Sequence, residues 1–541
     1  MAGSTPEPRR FYLTTPIYYV NDAPHIGHAY TTLACDVLAR FKRLDGYDVF
    51  FLTGTDEHGQ KVEKAAAAAG MDPQAFTDKV SQNFRELADF MNYSHDQFIR
   101  TTEPRHTAAS QAIWRAMAAT KSPKGNDNIY LGKYAGWYAV RDEAFYGEGE
   151  LKDGPGGKKF APSGAEVEWV EEPSYFFRLS DWQDTLLEFY RAHPDFIAPE
   201  TRRNEVVSFV SSGLTDLSIS RTTFKWGVPV PNDPAHIMYV WVDALTNYIT
   251  AVGYPDENSP VFKKFWPADL HMVGKDILRF HAVYWPAFLM AAGLEVQKRV
   301  FAHGWWTNEG QKISKSLGNV IDPFELVRKY GLDPVRYFLL REVPFGNDGD
   351  FSRRAIVTRI NSELANDLGN LAQRVLSMIN RNCDGRVPEL RDGLIVKRDH
   401  KLLSSLGSSQ EVLDELRDMI SEHQAFSDAL NRIWRIVREA NQYVDDAAPW
   451  TLKKTDPASM NSVLYVLAEV LRHLGILLWP FMPTACSNLL DQLAVPENER
   501  AFQHIGNVGH LVGPYSLKPG TSLPVPQPIF PRYIEAEEGA A

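Results

Sequence analysis

Two histidines three residues apart, in His25-Ile26-Gly27-His28, stand where a strand-like run gives way to a helix-like one. That spacing puts both imidazoles on one side of a first helical turn, beside the backbone N–H groups that a helix start leaves without partners. Gly27 between them lets a flat group approach the backbone closely. The chemistry this suits is ATP binding, with charge stabilised on the α-phosphate during displacement. A second element, Lys312-Ile313-Ser314-Lys315-Ser316, lies in a polar stretch between Gly310 and Gly318. Flanking glycines and short hydroxyl residues suit a mobile loop whose ammonium groups close over a triphosphate. Alone, the first motif reads equally as a solvated turn and the second as an ordinary basic loop. Together, and in this order, they point to ATP-dependent chemistry.

The elements that must position them follow from hydrophobic patterning. Phe11 to Val20 is dense in β-branched and aromatic residues and reads as a buried strand, followed by a turn over Asn21-Asp22-Ala23-Pro24 and a helix from Ile26 to Leu44. Val49 to Gly54 reads as a second buried strand, with an Ala-rich helix after it around Val62 to Ala69. This βαβα alternation argues for a Rossmann-type parallel sheet. The stretch 121–235 breaks it, being rich in Gly, Tyr, Trp and Pro, and reads as an inserted module. Alternation returns with His236 to Val242 and His271 to Met290. From about Ala355 the chain becomes helical to near Val495. There Ile356, Ile360, Leu364, Leu368, Leu371, Val375 and Met378 mark one apolar face, and further helical stretches follow at 402–420, 426–447 and 460–478.

The fold class is therefore α/β, a split Rossmann-type catalytic domain with an inserted connective module, followed by an all-α bundle. The expected boundaries are 1–120 and 236–300 for the two catalytic halves, 121–235 for the insertion, 301–355 for a linking region and 356–541 for the bundle with its Pro-rich, acidic tail.

At 541 residues, 44% apolar and 23% charged, the chain has the balance of a soluble globular protein. A net charge of −11 does not suggest a nucleic-acid binder, although a local basic face can bind phosphates on an acidic protein. The N-terminus has no apolar core of signal-peptide length. The longest apolar stretch expected, Ala282 to Leu294, is too short to span a bilayer. Three scattered cysteines, Cys35, Cys383 and Cys486, form no CxxC pair, which fits a reducing cytoplasm and excludes a cysteine-built zinc site. The expectation is a cytoplasmic protein with no membrane span.

The paired motifs resemble the HIGH and KMSKS signatures of class I aminoacyl-tRNA synthetases, with Ile313 for the usual Met. TTPIYYVNDAPHIGHAYTT, GTDEHG (54–59), YVWVDALTNY (239–248), GKDILRFH (274–281) and WPFMP (479–483) narrow the resemblance to the methionyl-tRNA synthetase family, from Phe11 to about Val495. The resemblance implies that L-methionine and ATP, with Mg²⁺, form an adenylate that is transferred to tRNA(Met), initiator and elongator. It implies catalytic roles for His25, His28, Lys312 and Lys315. ATP contacts would add Gly27, Gly274, Asp276 and Ser316. It assigns Ile17, Tyr19, Trp241, Ala244, Tyr248, Phe280, His281 and Trp285 to a methionine pocket, and Asp56 to the substrate ammonium. An aromatic lining suits a polarizable thioether, whose sulfur–ring contacts are worth roughly 0.3–1.5 kcal/mol. For Arg221 an adenylate-side contact and a surface ion pair both stay open.

In the bundle the resemblance assigns Asn370, Arg374 and Trp450 to reading the CAU anticodon. The first two stand at i and i+4 on one helix face. Trp450 follows Pro449 at a helix break, where an exposed ring could stack on an unpaired base. Many relatives carry a zinc knuckle near the segment that here reads Gly136-Trp137-Tyr138-Ala139-Val140-Arg141-Asp142. The insertion contains no cysteine, so no structural zinc is expected, and packing together with polar contacts, Arg141 and Asp142 among them, is expected to hold the fold instead. Without the extra C-terminal domain of some relatives, a monomer is expected. The family rejects homocysteine as its thiolactone, and the same is expected here. Other class I synthetases (for leucine, isoleucine, valine or cysteine) and a non-catalytic tRNA-binding factor remain as alternatives.

Overall fold

The computed structural model describes residues 9–20, 23–142, 144–313, 318–391, 402, 409–505 and 513–535. It divides into two compact units, one of Arg10–Cys35 and Val49–His303, the other of Met1–Arg9, Asp36–Asp48 and Gly304–Ala541.

The first unit is built on a seven-stranded sheet ordered Ile197–Ala198, Val300–His303, Leu270–Gly274, Arg10–Thr14, Asp48–Asp56, Tyr18–Tyr19, with Gln97–Arg100 also pairing Asp48–Asp56. Every pairing whose register is described is parallel. Its strands read as continuous apolar runs because helices cover both faces. Phe51, Leu52, Met272 and Val300 are fully buried. The order reverses about Arg10–Thr14, and in such sheets ligands bind beyond the carboxyl ends of the strands at that switch point. Thr14, Asp56, Gly274 and His303 all end their strands there.

The run Phe11 to Val20 divides into two strands, Arg10–Thr14 and Tyr18–Tyr19. Pro16 lies between them, and with no N–H it cannot serve a ladder. The helix runs from Ile26 to Leu44, and Lys42 and Arg43 in its last turn complement its dipole. The stretch 121–235 forms mainly an antiparallel sheet in which Ile129–Ala139 pairs along its length with Glu166–Phe177. From inside that stretch Ile197–Ala198 joins the edge of the parallel sheet.

One expectation is corrected. The segment beginning at His236 is not a strand of the parallel sheet. Asp233–Met238 pairs antiparallel with Ser220–Arg221 and Pro229–Val230, and the chain turns helical at Val240. Alternating residues alone do not tell a parallel strand from an antiparallel one.

In the second unit, Arg353–Arg359, Ile360–Gly369 and Asn370–Asn382 follow without a break, the middle segment being a π-helix. Ile356, Ile360, Leu364 and Leu368 repeat every four residues, which drifts by about 40° per step on an α-helix. The π-turn absorbs that drift, so all four stay buried. Met378 ends half-buried while Ile379 takes the core position. The bundle continues through Ser409–Leu416, Phe426–Ala447, Pro449–Thr455, Pro457–Leu478 and Pro483–Gln492. Residues 403–408, at the start of the stretch expected at 402–420, lie outside the described residues.

Among the described residues Pro457–Leu478, not Ala282 to Leu294, is the helix long and apolar enough to cross a membrane, and 94% of its apolar window is buried in the fold. Inside this unit Arg336 donates to Asp36 at 2.6 Å and to the carbonyl of Phe481 at 2.9 Å, with both ion-pair partners fully buried. Breaking one side of such a pair costs about 3–5 kcal/mol. The tail is tied down at Val387 N to Thr521 O, Leu523 N to Gly385 O and Tyr533 N to Asn361 Oδ1.

Candidate active site

The His25–His28 turn sits at the start of the Ile26–Leu44 helix, in the first unit. The backbone N–H of Gly27 donates to Nδ1 of His25 at 3.0 Å, and that of His25 donates to Nδ1 of His28 at 3.0 Å. Both Nδ1 atoms are thereby acceptors, so each neutral ring carries its proton on Nε2. The rings lie 3.9 Å apart, and His28 packs edge-on against Tyr18 and Phe84. Burial lowers the pKa of His25, against the opposing charge of Asp276. Burial lowers that of His28 well below the usual value, helped by His25. The pair therefore offers two Nε2–H donors without a charge that must be desolvated. A Cβ on Gly27 would lie 2.9 Å from the His25 ring, so a side chain there would displace it. Thr31 donates to the Gly27 carbonyl at 3.0 Å and accepts from Nε2 of His303 at 2.8 Å, tying the turn to the sheet. At the neighbouring strand end, a Cβ on Gly274 would lie 2.6 Å from Oδ1 of Asp276, so glycine lets that carboxylate fold back over the strand end.

Beside this turn lies an aromatic pocket. Ile17, Tyr19, Trp241 and Ala244 pack together with Tyr239. Trp241 stacks on Phe280 with ring centroids 3.4 Å apart. Deeper, Tyr248 Oη meets Nε2 of His281 at 2.6 Å, and Trp285, fully buried, lies against the Tyr248 ring at 6.2 Å. Asp56, buried at its strand end, pairs in register with Tyr19. All the residues expected in the methionine pocket are thus in one unit and linked by contact or register.

Three further residues belong to this neighbourhood. Nδ1 of His58 lies 2.6 Å from Oδ2 of Asp243, and Nε2 of His106 lies 2.7 Å from Oδ1. Burial opposes ionisation of Asp243, but the two imidazoles outweigh it and hold the carboxyl well below the usual range. The sequence carries a signal for this: Asp243 is the one charged residue in the helix Val240–Thr250. Its partners lie 185 and 137 residues away, beyond the reach of any spacing rule.

Arg221 is 2% exposed, which removes the surface ion pair. Its guanidinium lies 4.0 Å from the Tyr239 ring centroid and 4.6 Å from that of Phe145, with Glu172 at 3.5 Å. It lines a cleft of about 1120 Å³ together with Trp241, Asp276 and Phe280. Its Nη1 donates to Ser218 and to the Ser220 carbonyl, while Nε and Nη2 have no hydrogen-bond acceptor among the described residues.

In the second unit Lys312 is exposed on a hairpin strand, Gln311–Lys312, whose carbonyl accepts from Asn319 at 3.0 Å. Lys315 and Ser316 lie outside the described residues. Asn370 and Arg374 share the helix Asn370–Asn382. Arg374 pairs with Asp445 at 2.8 Å and lies 5.6 Å from the Trp450 ring centroid, and that ring is 47% exposed. Trp450 lies in the first turn of the helix Pro449–Thr455, after Ala448, whose positive φ of 44° breaks the chain direction.

Residues 11–158 and 157–376 match the family model described as tRNA synthetases class I (M), and residues 387–540 the anticodon binding domain of methionyl tRNA ligase. A methionine–tRNA ligase of Rickettsia felis is 57% identical over 524 residues, covering 97% of this chain and 98% of that one. One of Brucella suis is 56% identical over 529 residues, covering 98% and 99%. The fold matches the Mycobacterium tuberculosis methionyl-tRNA synthetase in complex with methionyl-adenylate, with TM-score 0.91 and 52% identity over 97% of this chain and 100% of that one. The apo form of that protein matches at TM-score 0.85 and 49% identity, over 98% of this chain and 99% of that one. The chain belongs to the methionyl-tRNA synthetase family.

On the methionyl-tRNA synthetase match, Asn370 and Arg374 fall in the class I segment and Trp450 in the anticodon-binding segment. Around Gly136 to Asp142 the inserted stretch carries a small apolar cluster of Ala139, Ala161, Ala165 and Val167, with polar contacts beside it. Arg141 donates to the Ser163 carbonyl at 2.6 Å, while Asp142 accepts from Tyr146 at 2.9 Å and from Ser163. Among the described residues, no group of three or more His, Cys, Asp or Glu side chains is placed to hold a metal ion.

Proposed function

We propose that the chain activates L-methionine with ATP to methionyl-adenylate and transfers the methionyl group to tRNA(Met), initiator and elongator. The observation that carries this reading is the occupation of both Nδ1 atoms of His25 and His28 by backbone N–H groups, which leaves two Nε2–H donors at a helix start. The aromatic pocket in the same unit supplies the specificity.

In this reading ATP enters as its Mg²⁺ complex and the methionine carboxylate attacks the α-phosphate in line, with no protein nucleophile. The Nε2–H groups of His25 and His28 stabilise charge developing on the phosphate oxygens, and Gly27 lets the nucleotide lie against the backbone. Lys312 and Lys315 neutralise the departing pyrophosphate, with Ser316 beside them. Gly274 and Asp276 meet the adenosine side. Asp56 binds the substrate ammonium by a charge-assisted bond, and Ile17, Tyr19, Trp241, Ala244, Tyr248, Phe280, His281 and Trp285 enclose the thioether chain. Arg221, held among rings at the rim of the cleft, faces the adenylate. The tRNA terminal 2′-hydroxyl then attacks the adenylate carbonyl, forming the ester as the carbonyl–phosphate bond breaks and AMP leaves, while Asn370, Arg374 and Trp450 read the anticodon. The protein works as a cytoplasmic monomer without structural zinc.

The test is charging of tRNA transcripts. A transcript with the CAU anticodon should accept methionine from the purified chain, and the same transcript with an altered anticodon should lose at least about a hundredfold in kcat/KM, since several stacked and hydrogen-bonded bases are lost at roughly 1–3 kcal/mol each. Equal charging of both would contradict the assignment.

A further inference from the structure

The Asp243 carboxylate is fully buried and bracketed by two imidazoles that come from different parts of the first unit. His106 is carried by the helix Pro104–Ala119 and is itself fully buried, with Nδ1 3.1 Å from Thr250 Oγ1. His58 stands in the turn that follows the strand Asp48–Asp56, two residues after Asp56. Packing gives little reason for such a group, since replacing a buried ionic cluster by apolar residues of similar size is often neutral or stabilising. Its location gives a better one. Asp243 lies two residues after Trp241 and directly before Ala244, the two residues of this helix that pack with Ile17 and Tyr19. On the other side, the carbonyl of His58 accepts from the Tyr19 hydroxyl at 3.1 Å. One carboxylate therefore joins the turn after Asp56 to the helix bearing Trp241 and Ala244, with the ring of Tyr19 fastened to the same turn.

We infer that Asp243 is a positioning residue for methionine recognition: through His58 it sets the distance between the Asp56 turn and the Trp241 wall, and through His106 it fixes the helix that carries that wall. This rests on the reading of Asp56 and Trp241 as methionine contacts. Neither Asp243 nor the two histidines need touch the substrate. The effect arises because a displacement of about 1 Å in a group that orients a substrate can cost on the order of a hundredfold in rate.

The geometry gives a test that a general loss of stability would not imitate. His58 uses Nδ1, whose place an asparagine amide nitrogen can occupy, whereas a glutamine amide nitrogen reaches the Nε2 position instead. In methionine-dependent ATP–pyrophosphate exchange, Asp243→Asn and His58→Gln should each raise the KM for methionine about tenfold or more, with the KM for ATP within about twofold. His58→Asn should stay within about threefold of the parent for both substrates. Melting temperatures measured alongside identify any variant that fails to fold, and in that case the His58 pair decides. Indistinguishable His58→Asn and His58→Gln enzymes would overturn the proposal, as would losses spread equally over methionine and ATP. Asp56→Asn separates the two readings. If it raises the methionine KM while Asp243→Asn does not, positioning by Asp243 fails and the Asp56 contact stands. If Asp243→Asn and His58→Gln act and Asp56→Asn does not, the Asp56 contact fails and Asp243 positions the Trp241 wall alone.

Discussion

The hydroxyl of Tyr248 donates to Nε2 of His281 at 2.6 Å, because Nδ1 of His281 is already committed as a donor to the carbonyl of Ile277 at 2.9 Å. The direction of both bonds is fixed by that carbonyl, which can only accept. The imidazole is neutral, and its one acceptor faces the tyrosine.

Removing the tyrosine hydroxyl strands this acceptor in a buried site. Leaving a buried polar group unpaired costs about 1–3 kcal/mol. Tyr248→Phe should therefore lower kcat/KM for methionine by roughly five- to 150-fold while the KM for ATP stays near that of the parent. Steady-state exchange kinetics check this, and an unchanged methionine kcat/KM would remove Tyr248 from the pocket.

The same ring has a pH signature. Burial holds the pKa of His281 at about 4, well under its ordinary value. Above about pH 6.5 the ring is neutral whether the protein is folded or not, and its contribution is intact. As pH falls from about 6.5 toward 4 the unfolded chain takes up a proton that the folded ring refuses, so stability is lost over that window, by up to about 3 kcal/mol. Chemical unfolding at pH 7.5 and pH 5 should show this loss in the parent and a smaller loss in His281→Gln. Equal acid sensitivity in both would show that His281 is not the titrating group.

At the helix start, the donors are neutral imidazoles. Adenylate formation should then show no decline between about pH 6.5 and 8, as an essential imidazolium would impose. His28→Ala should slow the chemical step by about 10²–10³, and Lys315→Ala should slow it far more than it weakens methionine binding. Single-turnover measurement of adenylate with a separate binding titration distinguishes these. Equal losses in rate and binding would contradict the assigned roles.

The bundle site should behave as a separate function. Trp450→Ala and Arg374→Ala should raise the KM for tRNA, each by about 1–3 kcal/mol of lost stacking or charge contact, while leaving methionine-dependent pyrophosphate exchange unchanged. An effect on exchange of the same size would mean that these residues act on the fold.

Much of this was legible in the residues. The Ile26–Leu44 helix and the strand around Val49 to Gly54 follow from local apolar period and turn signals, and the structure gives Ile26–Leu44 and Asp48–Asp56. The aromatics expected in the pocket come from motifs read together, and the structure packs Trp241 on Phe280 and Tyr248 against Trp285. What was not legible depends on long-range pairing. Asp233–Met238 chose an antiparallel partner, the four-residue repeat from Ile356 resolved into a π-turn, and Asp243 found histidines far away in the chain. Arg221 illustrates the same limit: its sequence neighbourhood looks polar and exposed, yet four rings close around it.

The central claim is that the neutral imidazole pair at the helix start and the aromatic pocket beside it form one methionine-activating site. Amino-acid-dependent ATP–pyrophosphate exchange by the purified chain tests it most directly, with methionine compared against leucine, valine and cysteine. The account predicts exchange with methionine at a kcat/KM at least about a hundredfold above the other three, lowered about 10²–10³-fold by His28→Ala. Exchange that is strongest with another amino acid, or that survives His28→Ala undiminished, would contradict it.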